Sequence, residues 1–274
     1  ASMLGIEGGR QMGGSMAALR QFYNLGVRYM TLTHNQTTEW ADSATEEPKH
    51  GGISPFGAQV VGEMNRLGML LDLSHVSPES MKDALQMSRA PVIFSHSNAA
   101  VLNPHPRNVT DDVLRLLPAN GGVVMVNFYP VFLSPGVRAW NVNRAGEEAR
   151  LKSLLPFSAA AVEAALKQWE QANPRPPVPI GVVADHIEHI AHVAGHDHVG
   201  IGGDLDGVPF TAVGLEDVAG YPRLFAELIR RGWSDGNLAK LAGGNILRVM
   251  RRAEAVAASM KDQPASLAVL DPAK

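Results

Sequence analysis

A chain of 274 residues, 45% hydrophobic and 19% charged, has an ordinary globular composition and enough length to bury one large core. Its net charge of −3, with 24 basic residues scattered along the chain, leaves no electrostatic footprint for nucleic acid or an anionic membrane surface, so neither is expected as a partner. Cysteine is absent, which excludes disulfides and thiolate ligands and leaves His, Asp and Glu to hold any metal.

In chain order, β-rich runs at 3–6, 29–33, 70–74, 91–95, 122–128 and 199–203 alternate with amphipathic helical stretches at 16–25, 56–67, 78–88 and 111–117, the last behind Thr110 as N-cap. This alternation predicts an α/β fold with a parallel sheet and helices outside it. Most of the runs are rich in Val, Ile and Leu, as strands buried on both faces are, although Asp72 interrupts the third. No glycine-rich phosphate loop follows the first strand, so a (β/α)8 TIM-like barrel is expected over an open dinucleotide-binding sheet. Six readable strands are two short of eight. The expectation is therefore that the first two strand-helix units are absent from this sequence and belong to an upstream segment of the functional protein.

Between about 131 and 184 the alternation lapses into a helical excursion, rich in Ala and Glu, that ends in Pro174-Arg175-Pro176-Pro177-Val178-Pro179. It is expected to be a lid or an interface element between two strands. Residues 1–258 are read as one barrel domain and 259–274 as a C-terminal tail. No apolar run approaches the roughly 20 residues of a membrane helix, so no transmembrane segment is expected. A periplasmic or secreted location is favoured over a cytoplasmic one.

Polar residues gather at one end of the runs. Glu7 closes the first, His34 the second, His75 the third, His96 the fourth and Asp204 the last. Five strands thus deliver a metal ligand or acid-base group to the C-terminal face, where barrel enzymes place their sites. Taken singly, each His is more often a hydrogen-bonded rim residue than a ligand. Asp204 and Glu7 fit helix N-termini equally well. Around His186, His189, His192, His196 and His198 the chain offers a second histidine cluster, but Glu188 does not stand in the H-E-x-x-H order, and a solvated helix face is expected there. His50 is expected to be solvated, His105 to border a pocket, and Met64, Met69 and Met81 to fill the core.

Gly5-Ile6-Glu7-Gly8-Gly9, Leu32-Thr33-His34-Asn35, Asp72-Leu73-Ser74-His75-Val76-Ser77 and Phe94-Ser95-His96-Ser97-Asn98 resemble successive motifs of the renal (membrane) dipeptidase family, zinc dipeptidases of the metal-dependent amidohydrolase type. The series continues in order through His105-Pro106-Arg107-Asn108-Val109, Val126-Asn127-Phe128-Tyr129, Gly200-Ile201-Gly202-Gly203-Asp204-Leu205-Asp206-Gly207 and Gly243-Gly244-Asn245. The resemblance implies that Glu7 bridges two zinc ions and that His75 and His96 complete one metal position. It further implies that His34 and Arg107 contact a dipeptide substrate, that Tyr129 lines the pocket, that Asp204 transfers protons, and that the protein is a homodimer. The family's other metal is held by a His-x-Asp pair on the first barrel strand, and no such pair precedes Glu7.

The chemistry suits these roles. A carboxylate such as Glu7 can give one oxygen to each of two ions, and neutral imidazoles at His75 and His96 are ordinary zinc ligands. His34 can donate to an oxyanion, Arg107 offers a planar fork for a free carboxylate, and Asp204 can carry a proton from water to the leaving amine. Two other readings stand beside dipeptide hydrolysis: another metal-dependent hydrolase acting on a lactone or modified peptide, and a catalytically silent barrel that binds a peptide-like ligand.

Overall fold

The computed structural model describes residues 2–270. Its strands are β1 (Leu4–Glu7), β2 (Val27–Thr31), β3 (Leu70–Asp72), β4 (Ile93–Phe94), β5 (Val123–Val126) and β6 (Val199–Ile201). All five pairings are parallel, and the sheet order is β1-β2-β3-β4-β5-β6. This unreversed winding is that of a (β/α) barrel, because a doubly wound sheet reverses its strand order at a switch point. The sheet curls: one cavity of about 460 Å³ is lined together by Gly5, Tyr29, Ser95 and Gly202, from its first strand to beyond its last.

Helices α1 (Met16–Asn24), α2 (Pro55–Leu67), α3 (Pro78–Met87), α4 (Asp111–Leu114) and α5 (Leu117–Asn120) form the first crossovers. Serine side chains cap α1, α2 and α3 by accepting the N–H of Ala18, Gly57 and Ser80, and Pro55 and Pro78 occupy the first helical turn. The stretch expected at 111–117 is instead two short helices. Thr110 has the extended backbone of an N-cap, but its side chain accepts no helix N–H. Helices α6 (Pro130–Leu133), α7 (Pro135–Leu154) and α8 (Ala159–Ala172) follow β5, with Leu151, Val162 and Leu166 forming a small core of their own between α7 and α8. Helix α9 (Ile180–Ala194) already begins inside the range 131–184 read as an excursion, because the proline run ends at Pro179 and cannot join it. It is followed by α10 (Tyr221–Arg230), α11 (Asp235–Ala239) and α12 (Asn245–Ser259).

Alternation along the strands divides the core. Leu71, Val124 and Val126 pack outward with the helices, whereas Leu70, Ile93 and Val123 face inward and meet Val249, Ala253 and Val256 of α12. Met64, Met69 and Met81 are fully buried, as expected. Among the described residues, no helix is long and apolar enough to cross a membrane.

Candidate active site

The parallel register sets the C-terminal strand ends level, with Glu7 opposite Thr31, Thr31 opposite Asp72 and Asp72 opposite Ile93. Glu7 ends β1 itself, and His34, His75, His96 and Asp204 lie in the turns just past β2, β3, β4 and β6. His75 and Asp204 both adopt left-handed backbone, with φ of 72° and 56°. That conformation strains residues other than glycine and persists only where the surroundings enforce it. At His75 the enforcement is visible, since its carbonyl accepts the Ala44 N–H at 2.7 Å and the Thr33 hydroxyl at 3.2 Å.

Glu7 Oε1 lies 2.8 Å from His75 Nε2 and 3.3 Å from His96 Nε2, and the two nitrogens are 2.9 Å apart. Zinc bonds of 2.0–2.1 Å in tetrahedral geometry separate ligand atoms by about 3.3 Å. The triangle is therefore close to one face of such a site, and two imidazoles with one carboxylate are a donor set that zinc accepts. Burial pushes His75 down to about 3, overriding its contact with Glu7, so its imidazole is neutral and available to an ion at physiological pH. Glu7 is held well below the ordinary carboxylate range, chiefly by its hydrogen bond with His75, which outweighs burial. His34 shares a looser grouping with Glu7 and His75, ligand atoms lying within 4.8 Å of one another. Its Nε2 is 4.0 Å from Glu7 Oε1 and its ring is tilted over His75 at 4.4 Å. His34 is half exposed at the rim beside the triangle.

Glu7 stands between two cavities. The inner one is bounded also by Tyr29, Thr31, Ser95, His96 and Asp204, and the outer one by Arg10, Gln11, His34 and Gln36. Gly202 lets the turn past β6 approach the turn past β4, because a Cβ there would fall 1.9 Å from the Ser95 carbonyl oxygen. A further cleft between α7 and α8 is lined by Arg144, Glu148 and Lys152, which pair with one another or with nearby carboxylates, and it holds none of these groups.

Arg107 is 5% exposed, and its Nε and Nη2 have no hydrogen-bond partner among the described residues. Burial lowers it to about 10, with Glu7, Asp204 and Asp72 acting in the other direction, so it remains a cation at neutral pH. A buried, unpaired guanidinium is costly unless an anion satisfies it. It lies over the Phe132 ring at 5.2 Å. Tyr129 packs against Phe132 and Phe210, each with ring centroids 5.1 Å away, and Arg175 from the proline run sits over Phe210 at 3.4 Å. His105 stacks on Phe132 at 4.6 Å and accepts the Arg107 N–H, which braces the Arg107 loop beside this aromatic wall.

Asp204 Oδ2 accepts the Asn127 amide at 3.0 Å, and the Asn127 N–H is in turn held by Asn98 Oδ1 at 2.9 Å. In the sequence Asn127 and Ser95 stand only within motifs, and Asp72 also as the polar interruption of the third apolar run. Their signal lay in the sequence, since a carboxylate inside the apolar run Leu70-Leu71-Asp72-Leu73 must find buried partners. The aromatic wall gave no such signal, because Phe132 and Phe210 are far apart in the chain and look like ordinary core residues.

The second histidine cluster departs from expectation at His186, while His192 is exposed as expected. His186 is fully buried rather than solvated; its Nδ1 accepts the Ala99 N–H and its Nε2 lies 3.0 Å from the Leu133 carbonyl. His189 contacts Asp111 at 2.7 Å. His196 lies past the end of α9 at Ala194 and turns against Trp233.

A family model described as membrane dipeptidase (peptidase family M19) matches residues 1–264. The chain belongs to the membrane dipeptidase family. The dipeptidase tcpJ of Claviceps purpurea is 43% identical over 262 residues, 95% of this chain and 53% of that protein. Among solved structures, the probable dipeptidase PvdM from Pseudomonas aeruginosa has 27% identity and a TM-score of 0.78, over 91% of this chain and 68% of that one. A metallo peptidase from Rhodobacter sphaeroides, liganded with a phosphinate mimic of the dipeptide L-Ala-D-Ala, has 26% identity and a TM-score of 0.72 over 92% and 63%. These dipeptidase neighbours bear out the TIM-like barrel. The chain spans about half the length of the curated relatives it matches.

Proposed function

We propose that this membrane dipeptidase family member hydrolyses dipeptides with a zinc ion held by Glu7, His75 and His96. The observation that carries the reading is the unsatisfied Arg107 cation buried within reach of the Glu7 and Asp204 charges. A free α-carboxylate is the anion such a planar fork suits, and requiring it would exclude long peptides. The phosphinate dipeptide mimic on the Rhodobacter sphaeroides neighbour supports a dipeptide-sized ligand.

Bound to these three residues, zinc would supply Lewis acidity toward a carbonyl and acidify water to near neutrality. Arg107 and the Tyr129 wall bind and orient the substrate. His34 Nε2 reaches the rim above Glu7, where it can donate to a developing oxyanion. Asp204, steadied through Oδ2 by Asn127, keeps its other oxygen for a proton that passes from water to the leaving amine. For a second ion, as the family resemblance implies, the grouping beside this triangle among the described residues is Glu7, His34 and His75, which shares Glu7 and His75 with it, so such an ion would have only His34 as a ligand of its own.

Asp204→Asn is expected to lower kcat by about 10²–10⁴-fold while zinc content stays near that of the wild type. Equal loss of zinc would make Asp204 a ligand instead. The homodimer is part of the same proposal, supported by Leu154 and the fully exposed Phe157 at the turn between α7 and α8. The function itself is tested by assaying a panel of dipeptides, their amides and a lactone before metal removal, after it and after zinc return. Zinc-dependent turnover confined to free dipeptides is expected; turnover of the lactone alone, or of nothing with zinc bound, would replace this reading with one of its two rivals.

A further inference from the structure

Asp72, Ser95 and His96 form a continuous hydrogen-bonded line from the interior of β3 to the metal-binding triangle. We propose that Asp72 and Ser95 are positioning residues that lock His96 as the tautomer protonated at Nδ1, so that Nε2 turns a lone pair toward the ion. The inference rests on the zinc reading above and adds to it the residues that orient one ligand.

Counting protons gives the direction of each bond. Asp72 is fully buried. Its Oδ1 accepts the N–H of Ser74 at 3.1 Å and of Ser95 at 2.9 Å, and its Oδ2 accepts the hydroxyls of Thr31 and Ser95, both at 2.6 Å. Four donors surround its two oxygens, so Asp72 is an acceptor throughout. The single Ser95 hydroxyl proton is thereby committed to Asp72. At 2.8 Å from His96 Nδ1, Ser95 Oγ can then only accept, and Nδ1 must carry the proton. A neutral imidazole has one N–H, so Nε2 is left bare, 3.3 Å from Glu7 Oε1 and 2.9 Å from His75 Nε2. The His96 backbone is held separately, its N–H donating to Ser74 Oγ at 2.9 Å. The Ser95 hydroxyl can therefore be removed without releasing the turn. Partners of this kind fix the tautomer and ring orientation of metal-bound histidines in general.

The test uses S95A, S95T, D72N and H96Q, with zinc affinity read by competition against a chromophoric chelator and the His96 tautomer read from ¹⁵N–¹H correlations in metal-free protein. S95A is expected to weaken zinc by about 10- to 100-fold, and S95T, which keeps the hydroxyl, to restore most of that loss. D72N should act by reversal. Its amide oxygen stays with the two backbone N–H groups, its NH2 faces Ser95, and the Ser95 proton turns to His96 Nδ1, moving the imidazole proton to Nε2. Zinc affinity in S95A equal to that of the wild type, or His96 still protonated at Nδ1 in both S95A and D72N, would overturn the proposal; if D72N does not fold, S95A decides alone. H96Q separates the two levels: unchanged zinc binding there would remove His96 from the metal site altogether, whereas lost binding in H96Q beside unchanged S95A overturns the relay only.

Discussion

Replacing Glu7 with glutamine is expected to weaken metal binding by about 100-fold and to lower hydrolysis with it. The amide keeps the size of the side chain but removes the charge that faces His75 at 2.8 Å and His96 at 3.3 Å. Removing one partner from a buried charged cluster costs about 3–5 kcal/mol. Half-exposed Glu7 belongs toward the lower end of that range, which is still about 100-fold in ion affinity. Zinc counted per chain and kcat/KM should fall in step in Glu7→Gln. Full zinc content with normal turnover would place the ion elsewhere.

Arg107→Ala should have the second large effect, and of a different kind. A carboxylate clamp acts on ground state and transition state alike, so the loss is expected mainly in KM, with kcat changing less. Truncating a desolvated charged partner costs about 2–5 kcal/mol, roughly a 30- to several-thousand-fold rise in KM. The diagnostic is discrimination: the wild type should prefer a dipeptide to its amide, and Arg107→Ala should lose that preference. The aromatic wall predicts one further detail. Because Arg107 lies over Phe132, the mutation also removes packing, and Arg107→Lys should recover charge without recovering the planar fork. A variant that keeps the preference for free dipeptides would make Arg107 a loop brace alone.

Much of this site could be read from the chain because a barrel strand reports its own end. Most apolar runs stop at a polar residue, and parallel winding brings those stops to one rim, so the strand-end positions of Glu7, His34, His75, His96 and Asp204 are legible in the sequence. Boundaries were less legible. The run at 122–128 contains only Val123–Val126 as strand, since Asn127 leaves the ladder to hold Asp204 and Tyr129. The burial of His186 is illegible in the sequence for a related reason. Its histidine-rich helix resembles a solvated face, and only the tertiary contact with Ala99 and Leu133 shows that both ring nitrogens are used in the core. The Asp72 to Ser95 to His96 line crosses two strands and depends on proton direction, which sequence spacing does not encode.

Anomalous diffraction at the zinc edge from crystals of the active protein would show whether Glu7, His75 and His96 hold the ion that activates the reaction. A peak is expected with Glu7 oxygen and both Nε2 atoms at about 2.0–2.2 Å, with Asp72, Ser95 and His96 Nδ1 in line behind it. Zinc-saturated, active crystals with no peak inside this triangle would contradict this assignment.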